Sequence, residues 1–314
     1  MKVKMKKELY IHIGQYKTGT SALQSFLARN RELLRKQGLY YPLLEGEFMF
    51  REKNAGTSGN ALDFTKLARP FAELKLTQLD YMQKIADFFK DDDKVLLSSE
   101  AIWMTDPVAF ENIMLFLQRE IDVQIKIIVY LRRQDENIES FWNQQVKSSF
   151  CKDTCQRFVE KHMGDYFDYD AYLEKVSNVI GKENMIVQIY DRDRFSCGKS
   201  IFEQFLSIFG FLDLSGFTIP KYQANPSMGK ELAELKRILN GVPGSQILDD
   251  EFRMNFKEQA VFAENTQAVT HSPAFLSYDE RKSILDRYEI RKPEDWQDIF
   301  WNRRKSIFKP GRSI

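Results

Sequence analysis

Residues 9–27 read LYIHIGQYKTGTSALQSFL, a short apolar run that stops at a glycine and restarts with helical spacing. Leu9–Ile13 is brief and bounded by polar residues, the pattern of a buried strand. Gly14 then opens a turn, Gly19 follows five residues later, and Leu23, Phe26, Leu27 and Leu34 recur at helical intervals until Gly38 ends the helix. The expected order is strand, glycine loop, helix, with Thr20 and Ser21 at the helix start. Such an order makes an anion cradle. The first N–H groups of a helix lack intrahelical acceptors, and the aligned peptide dipoles add positive potential there.

Three more runs, Val95–Ser98, Ile125–Leu131 and Met185–Tyr190, have the same buried-strand character. Helices are expected near 76–90, 107–119, 135–149, 168–180, 199–209 and 227–240. Strands that alternate with helices give an α/β fold. The expectation is a three-layer P-loop-type domain, with a central, mostly parallel sheet flanked by helices and a helical C-terminal cap. Residues 1–314 are read as one domain, a nucleotide-binding α/β core over 1–210 and a cap over 211–314. The connection between the first two strands is far longer than a crossover needs, and its middle, 45–64, is rich in Gly, Asn and Ser. Loops of that kind are usually functional.

Composition removes several classes. Lys and Arg number 46 against 45 Asp and Glu, a net charge of +1 over 314 residues, which argues against nucleic-acid binding. A 43% hydrophobic content excludes disorder, and no window approaches the ~20 apolar residues of a membrane span. The basic start MKVKMKK leads straight into the first strand, so neither signal peptide nor anchor is expected. Cys151, Cys155 and Cys197 are odd in number and have no matching His or Cys cluster. Disulfides and structural zinc are therefore not expected, and a cytoplasmic location is.

The nucleotide-triphosphatase form of the glycine loop is GxxxxGK[ST]. Here the spacing is kept, but Thr20 stands in the lysine's place and lysine moves inside the loop as Lys17. The third strand, KIIVYLRRQDENIES (126–140), ends in arginines where a triphosphatase carries a metal-holding aspartate. Arg132 at that strand's end and Ser140, two helical turns into the next helix, are placed to converge on one phosphate. In KVLLSSEAIW (94–103), Glu100 lies just past the second strand, at the carboxyl edge where open α/β sheets bind ligands. It is the candidate general base, although helix capping or a lysine partner fits the position equally. Of His12, His162 and His271, none stands at a comparable strand end, and His12 is read as structural.

HIGQYKTGTSALQ and YLRRQDENIES together resemble the sulfotransferases that use 3′-phosphoadenosine 5′-phosphosulfate (PAPS): the first its 5′-phosphosulfate loop, the second its 3′-phosphate element. The resemblance covers the first half of the chain. It departs from the family at Gln134, where proline is common. It implies that Lys17 stabilises charge on the bridging oxygen as the sulfuryl group leaves. Gly14, Thr18, Gly19, Thr20 and Ser21 would form the 5′-phosphate loop, and Arg132 and Ser140 would hold the 3′-phosphate. IVQIYDRDRF (186–195) is similar to an element whose tyrosine lies beside the adenine, which makes Tyr190 a candidate; a strand-end aromatic covering the core fits equally. Asn225 and Ser227 resemble a late phosphate-covering loop, or a plain helix N-cap.

The function so implied is metal-free transfer of a sulfuryl group from PAPS to a hydroxyl acceptor, a carbohydrate or glycolipid or polysaccharide precursor, leaving 3′,5′-adenosine bisphosphate. The alternatives are a P-loop kinase or triphosphatase, against which the missing helix lysine and strand aspartate speak, and a catalytically silent nucleotide-binding protein of the same fold. Oligomeric state and the identity of the acceptor are not written in the sequence.

Overall fold

The computed structural model describes residues 6–44, 59–148, 150–190, 200–211, 214–219, 228–242 and 275–287. Four strands, β1 (Lys7–Gly14), β2 (Lys94–Ser99), β3 (Val123–Leu131) and β4 (Met185–Ile189), form one sheet of order β2-β1-β3-β4. Every neighbouring pair is parallel. The sheet of the α/β expectation is therefore present, with each strand within two residues of the apolar run that marked it.

The chain separates into two compact units. Of the described residues, those within 1–132 and 168–219 form one, and those within 133–167 and 228–287 the other. The first unit holds the sheet with α1 (Thr20–Arg29), α2 (Arg31–Lys36), α3 (Leu76–Phe88) and α4 (Val108–Glu120). It also holds two later helices, which take the labels α7 (Tyr169–Ile180) and α8 (Ile201–Ser207). On one sheet face, Tyr10, Leu96, Ile128 and Tyr130 pack with Leu23, Phe26 and Leu27 of α1 and Phe205 and Leu206 of α8. Leu23, Phe26 and Leu27 are wholly buried, and each such side chain contributes roughly 1.5–3 kcal/mol. That packing holds the start of α1 at the end of β1.

Because β2 and β3 flank β1 on opposite sides, the direction of strand addition reverses at β1. In open α/β sheets the ligand crevice lies at such a reversal, beyond the carboxyl ends of the strands. Gly14 ends β1 there and Leu131 ends β3, so the glycine loop and Arg132 emerge side by side.

One expected helix is two. α1 stops at Arg29, because the Asn30 side chain donates to the Phe26 carbonyl (2.8 Å) and the Thr218 carbonyl (2.9 Å) and accepts from the Thr218 N–H (2.7 Å). An asparagine that competes for backbone groups in this way ends a helix. Gly38 does stand at the expected stop, with φ of 87°.

The second unit contains α5 (Gln134–Ser148), α6 (Cys155–His162), α9 (Lys230–Asn240) and α10 (Tyr278–Arg287). Trp142 of α5 is wholly buried, donates from Nε1 to the Asp153 carbonyl at 2.9 Å, and meets the Phe275 ring edge-on. Asn143 exchanges two hydrogen bonds with Met228, and Asn240 donates to the carbonyls of Val146 and Cys151. Asp135 and Glu139, both buried, accept from Arg281, while Glu139 also accepts from the N–H groups of Phe275 and Leu276. These bonds tie α5 to α9 and α10 within the second unit.

Candidate functional site

The loop after β1 is knotted by one carbonyl. Gln15 O accepts from Thr18 Oγ1 at 2.6 Å and from Thr20 Oγ1 at 3.2 Å. Lys17 has φ of 69° and Gly19 of 78°, so the backbone turns left-handed on either side of Thr18. For glycine that is free; for lysine it costs roughly 1–2 kcal/mol and persists only where the surroundings impose it. Left-handed residues in such loops turn successive N–H groups into a concavity suited to an anion. α1 then starts at Thr20 with no side-chain cap and no acidic residue in its first turn. Its first N–H groups, Ser21 included, are thus contested by no carboxylate of that turn.

Arg132 follows β3 directly and is 4% exposed. Its backbone N–H donates to Gln15 Oε1 at 3.3 Å, and its Nη1 to the Lys17 carbonyl at 3.4 Å. Its Cζ lies 5.9 Å from the centroid of the Tyr190 ring, within cation–π range. Tyr190 is held at the end of β4 by its N–H on the Leu131 carbonyl, 2.8 Å. The same ring borders the loop, since a Cβ at Gly19 would stand 2.9 Å from Tyr190 Cε2. Lys17, Gly19, Arg132 and Tyr190 are therefore neighbours.

Glu100 opens a 3₁₀ turn (Glu100–Ile102) directly after β2. A Cβ at Gly14 would collide with the Thr20 side chain and lie 3.2 Å from Glu100 Cα, so glycine lets these backbones meet. Burial pushes the Glu100 carboxyl above its ordinary 4.5, and the positive charge of Lys17 offsets part of that rise. Burial, with Glu100 adding to it, raises the Tyr16 phenol too. Neither Tyr16 nor Gln15 was singled out by the sequence, because both are polar residues inside a loop where no periodicity applies.

Ser140 stands on α5, in the second unit. Its Oγ is buried and has no hydrogen-bond partner among the described residues. His12, 1% exposed, contacts Ser98 Oγ through Nδ1 at 2.8 Å, and burial drives it down to about 3, so it is a neutral group within β1. Asn225, Ser227, His271, Cys197 and residues 45–58 of the long connection lie outside the described residues. Among the described residues no cluster of three His, Cys, Asp or Glu side chains is arranged to hold a metal. No helix among them is long and apolar enough to cross a membrane.

No protein-family model matches the chain. An uncharacterised protein of Archaeoglobus fulgidus is 35% identical over 182 residues, 58% of this chain and 48% of that protein. The chain thus spans about half the length of that curated relative. Among solved structures, the fold is similar to a sulfotransferase from Alicyclobacillus acidocaldarius, with a TM-score of 0.39 and 16% identity over 72% of this chain and 88% of that one. It is also similar to the sulfotransferase domain from the curacin biosynthetic pathway, with a TM-score of 0.36 and 13% identity over 92% and 99% of the two chains.

Proposed function

We propose that the protein is a sulfotransferase that moves a sulfuryl group from PAPS to a hydroxyl acceptor, with a carbohydrate or a glycolipid or polysaccharide precursor as the favoured class. The observation that carries the reading is Arg132, an arginine at the end of β3 bonded to the carbonyl of Lys17 in the glycine loop. A P-loop kinase or triphosphatase needs a metal-holding carboxylate at that strand end. A buried guanidinium there suits a second anionic group on the donor instead.

The residues fit such a donor. The loop with its uncapped helix start suits the 5′-phosphosulfate, Arg132 the 3′-phosphate, and the half-buried Tyr190 ring the adenine. Gly14, Thr18, Gly19, Thr20 and Ser21 line or shape the loop. Ser140, assigned by the sequence resemblance alone, would add a hydroxyl.

In the proposed reaction Glu100 takes the acceptor proton and the acceptor oxygen bonds to sulfur. The bond from sulfur to the bridging oxygen breaks, and the pair of electrons stays on the phosphate of 3′,5′-adenosine bisphosphate. Lys17 offsets the charge that develops on that oxygen. A sulfuryl group carries less negative charge than a phosphoryl group, so the step needs no metal. Burial raises the Glu100 carboxyl above that of an exposed glutamate, which makes its carboxylate the stronger base.

The test is a melting series without magnesium. 3′,5′-adenosine bisphosphate should raise Tm well above ADP or ATP, since a ligand at 100 times its Kd stabilises by about 2.7 kcal/mol. A larger shift with ATP and magnesium overturns the reading in favour of a kinase or triphosphatase. Donor binding with no transfer in a broad screen of hydroxyl acceptors would favour the silent nucleotide-binding protein.

A further inference from the structure

Beyond Gly14 the chain leaves the sheet, and the last paired residues of β1 and β3 are Gly14 and Tyr130. The N–H of Arg132 lies past that pair, and the Gln15 side chain meets it through Oε1 at 3.3 Å. Because the group facing the amide is a donor, the oxygen must face it, and Nε2 is turned away. That nitrogen is buried and has no acceptor among the described residues, on a side chain that is 0% exposed. The side chain is thus held for its oxygen, as a continuation of the strand ladder.

The backbone carbonyl of the same residue receives the hydroxyls of Thr18 and Thr20. Gln15 therefore joins two structures that the donor reading assigns to different ends of one nucleotide. Its carbonyl shapes the loop for the 5′ group, and its amide oxygen fixes the strand end that carries Arg132. The 3′ and 5′ groups of an adenosine bisphosphate are separated by a ribose of nearly constant size, so a site that reads both must fix that spacing. We propose that Gln15 is a positioning residue that sets the distance between loop and Arg132, and so the preference for a 3′-phosphorylated nucleotide. The inference rests on the donor reading above.

The experiment compares the affinities of 3′,5′-adenosine bisphosphate and ADP by calorimetry in wild type, Gln15→Met and Gln15→Glu, each first checked for ligand-free melting. Methionine keeps the length and removes the acceptor. It should weaken the bisphosphate about tenfold, the scale of one lost hydrogen bond, and ADP less than about twofold. Glutamate keeps an oxygen toward the Arg132 N–H, so both affinities should fall by charge repulsion while their ratio stays near that of wild type. If Gln15→Met does not fold, Gln15→Asn, one methylene short, carries the same comparison. A ratio unchanged in Gln15→Met, or lost equally in Gln15→Glu, overturns the inference alone. A wild type with no preference for the bisphosphate overturns the donor reading and the inference together.

Discussion

Arg132 Nη1 donates to the carbonyl of Lys17 at 3.4 Å, so a guanidinium from the end of β3 fastens the one non-glycine residue of the β1 loop that is left-handed. The contact goes to the lysine's backbone, which leaves the ammonium to its own partners, Glu100 among them. The loop conformation is therefore imposed from outside it. The proposed chemistry asks for a lysine at a position where the backbone asks for a glycine.

Lys17→Gly separates those two demands. Removing the Cβ at φ 69° relieves strain of roughly 1–2 kcal/mol, part of which is returned as glycine's greater freedom in the unfolded chain. Melting should stay level or rise slightly, while turnover falls by about 10²–10³-fold for want of charge stabilisation at the leaving oxygen. Affinity for 3′,5′-adenosine bisphosphate should change far less than turnover does. Equal losses in binding and turnover would demote Lys17 to an ordinary binding residue.

Gly19→Ala reverses the argument. An added Cβ at φ 78° is strained, and it would meet Tyr190 Cε2 at 2.9 Å and Ile201 Cδ1 at 3.0 Å. Stability should drop by roughly 1–2 kcal/mol from the backbone alone, with weaker bisphosphate binding as the Tyr190 ring is displaced. The two effects separate in a Tyr190→Ala background, where Gly19→Ala should still destabilise but should no longer weaken binding. Additive losses of affinity across the two substitutions would show that the ring and the loop act independently.

The strands and the glycine loop were legible because apolar runs and glycine punctuation are local properties, and the sheet pairs the runs that Leu9–Ile13, Val95–Ser98 and Ile125–Leu131 marked. Asn30 was not legible as a helix end. Its partner Thr218 is 188 residues away, and no window along the chain contains both. α6 escaped notice because its eight residues bury only Cys155, Phe158 and Val159, too few to set a period. Gln15 escaped because a side chain that stands in for backbone leaves no pattern. The grouping of α5 with the later helices rests on pairs such as Asp135 with Arg281, 146 residues apart.

That pair gives a stability prediction. The Asp135 side chain is fully buried and bonded to both Arg133 and Arg281. Burial by itself would raise its carboxyl, but the arginines outweigh burial and hold it below its ordinary 3.8. A carboxyl lowered on folding contributes stability that is complete above its unfolded value and is lost as pH falls through the folded one. Arg281→Met should cost roughly 1.5–3 kcal/mol near neutral pH, since Arg133 still pairs with Asp135 and the N–H groups of Phe275 and Leu276 still donate to Glu139. The gap between wild type and variant, measured by denaturant midpoints, should narrow below about pH 3.8 as the carboxyl protonates in both. A gap that is flat across that range would place the loss in packing and not in the ion pair.

The base is tested by Glu100→Gln, which keeps the shape of the side chain and removes its ability to take a proton. Donor binding should persist, because neither the loop nor Arg132 is touched, while transfer falls by roughly 10²–10⁴-fold. Only the ionised carboxylate works as a base, so the wild-type rate should rise with pH through one ionisation. Burial moves that ionisation above 4.5, and Lys17 limits how far. Removing the lysine charge in Lys17→Met should therefore move the same limb to still higher pH, in whatever activity remains. In Glu100→Gln the limb should vanish. A variant that folds, shown by its bisphosphate-induced rise in Tm, and yet turns over at nearly the wild-type rate would exclude Glu100. The next group to test would be Tyr16, the phenol whose ionisation already responds to the Glu100 charge.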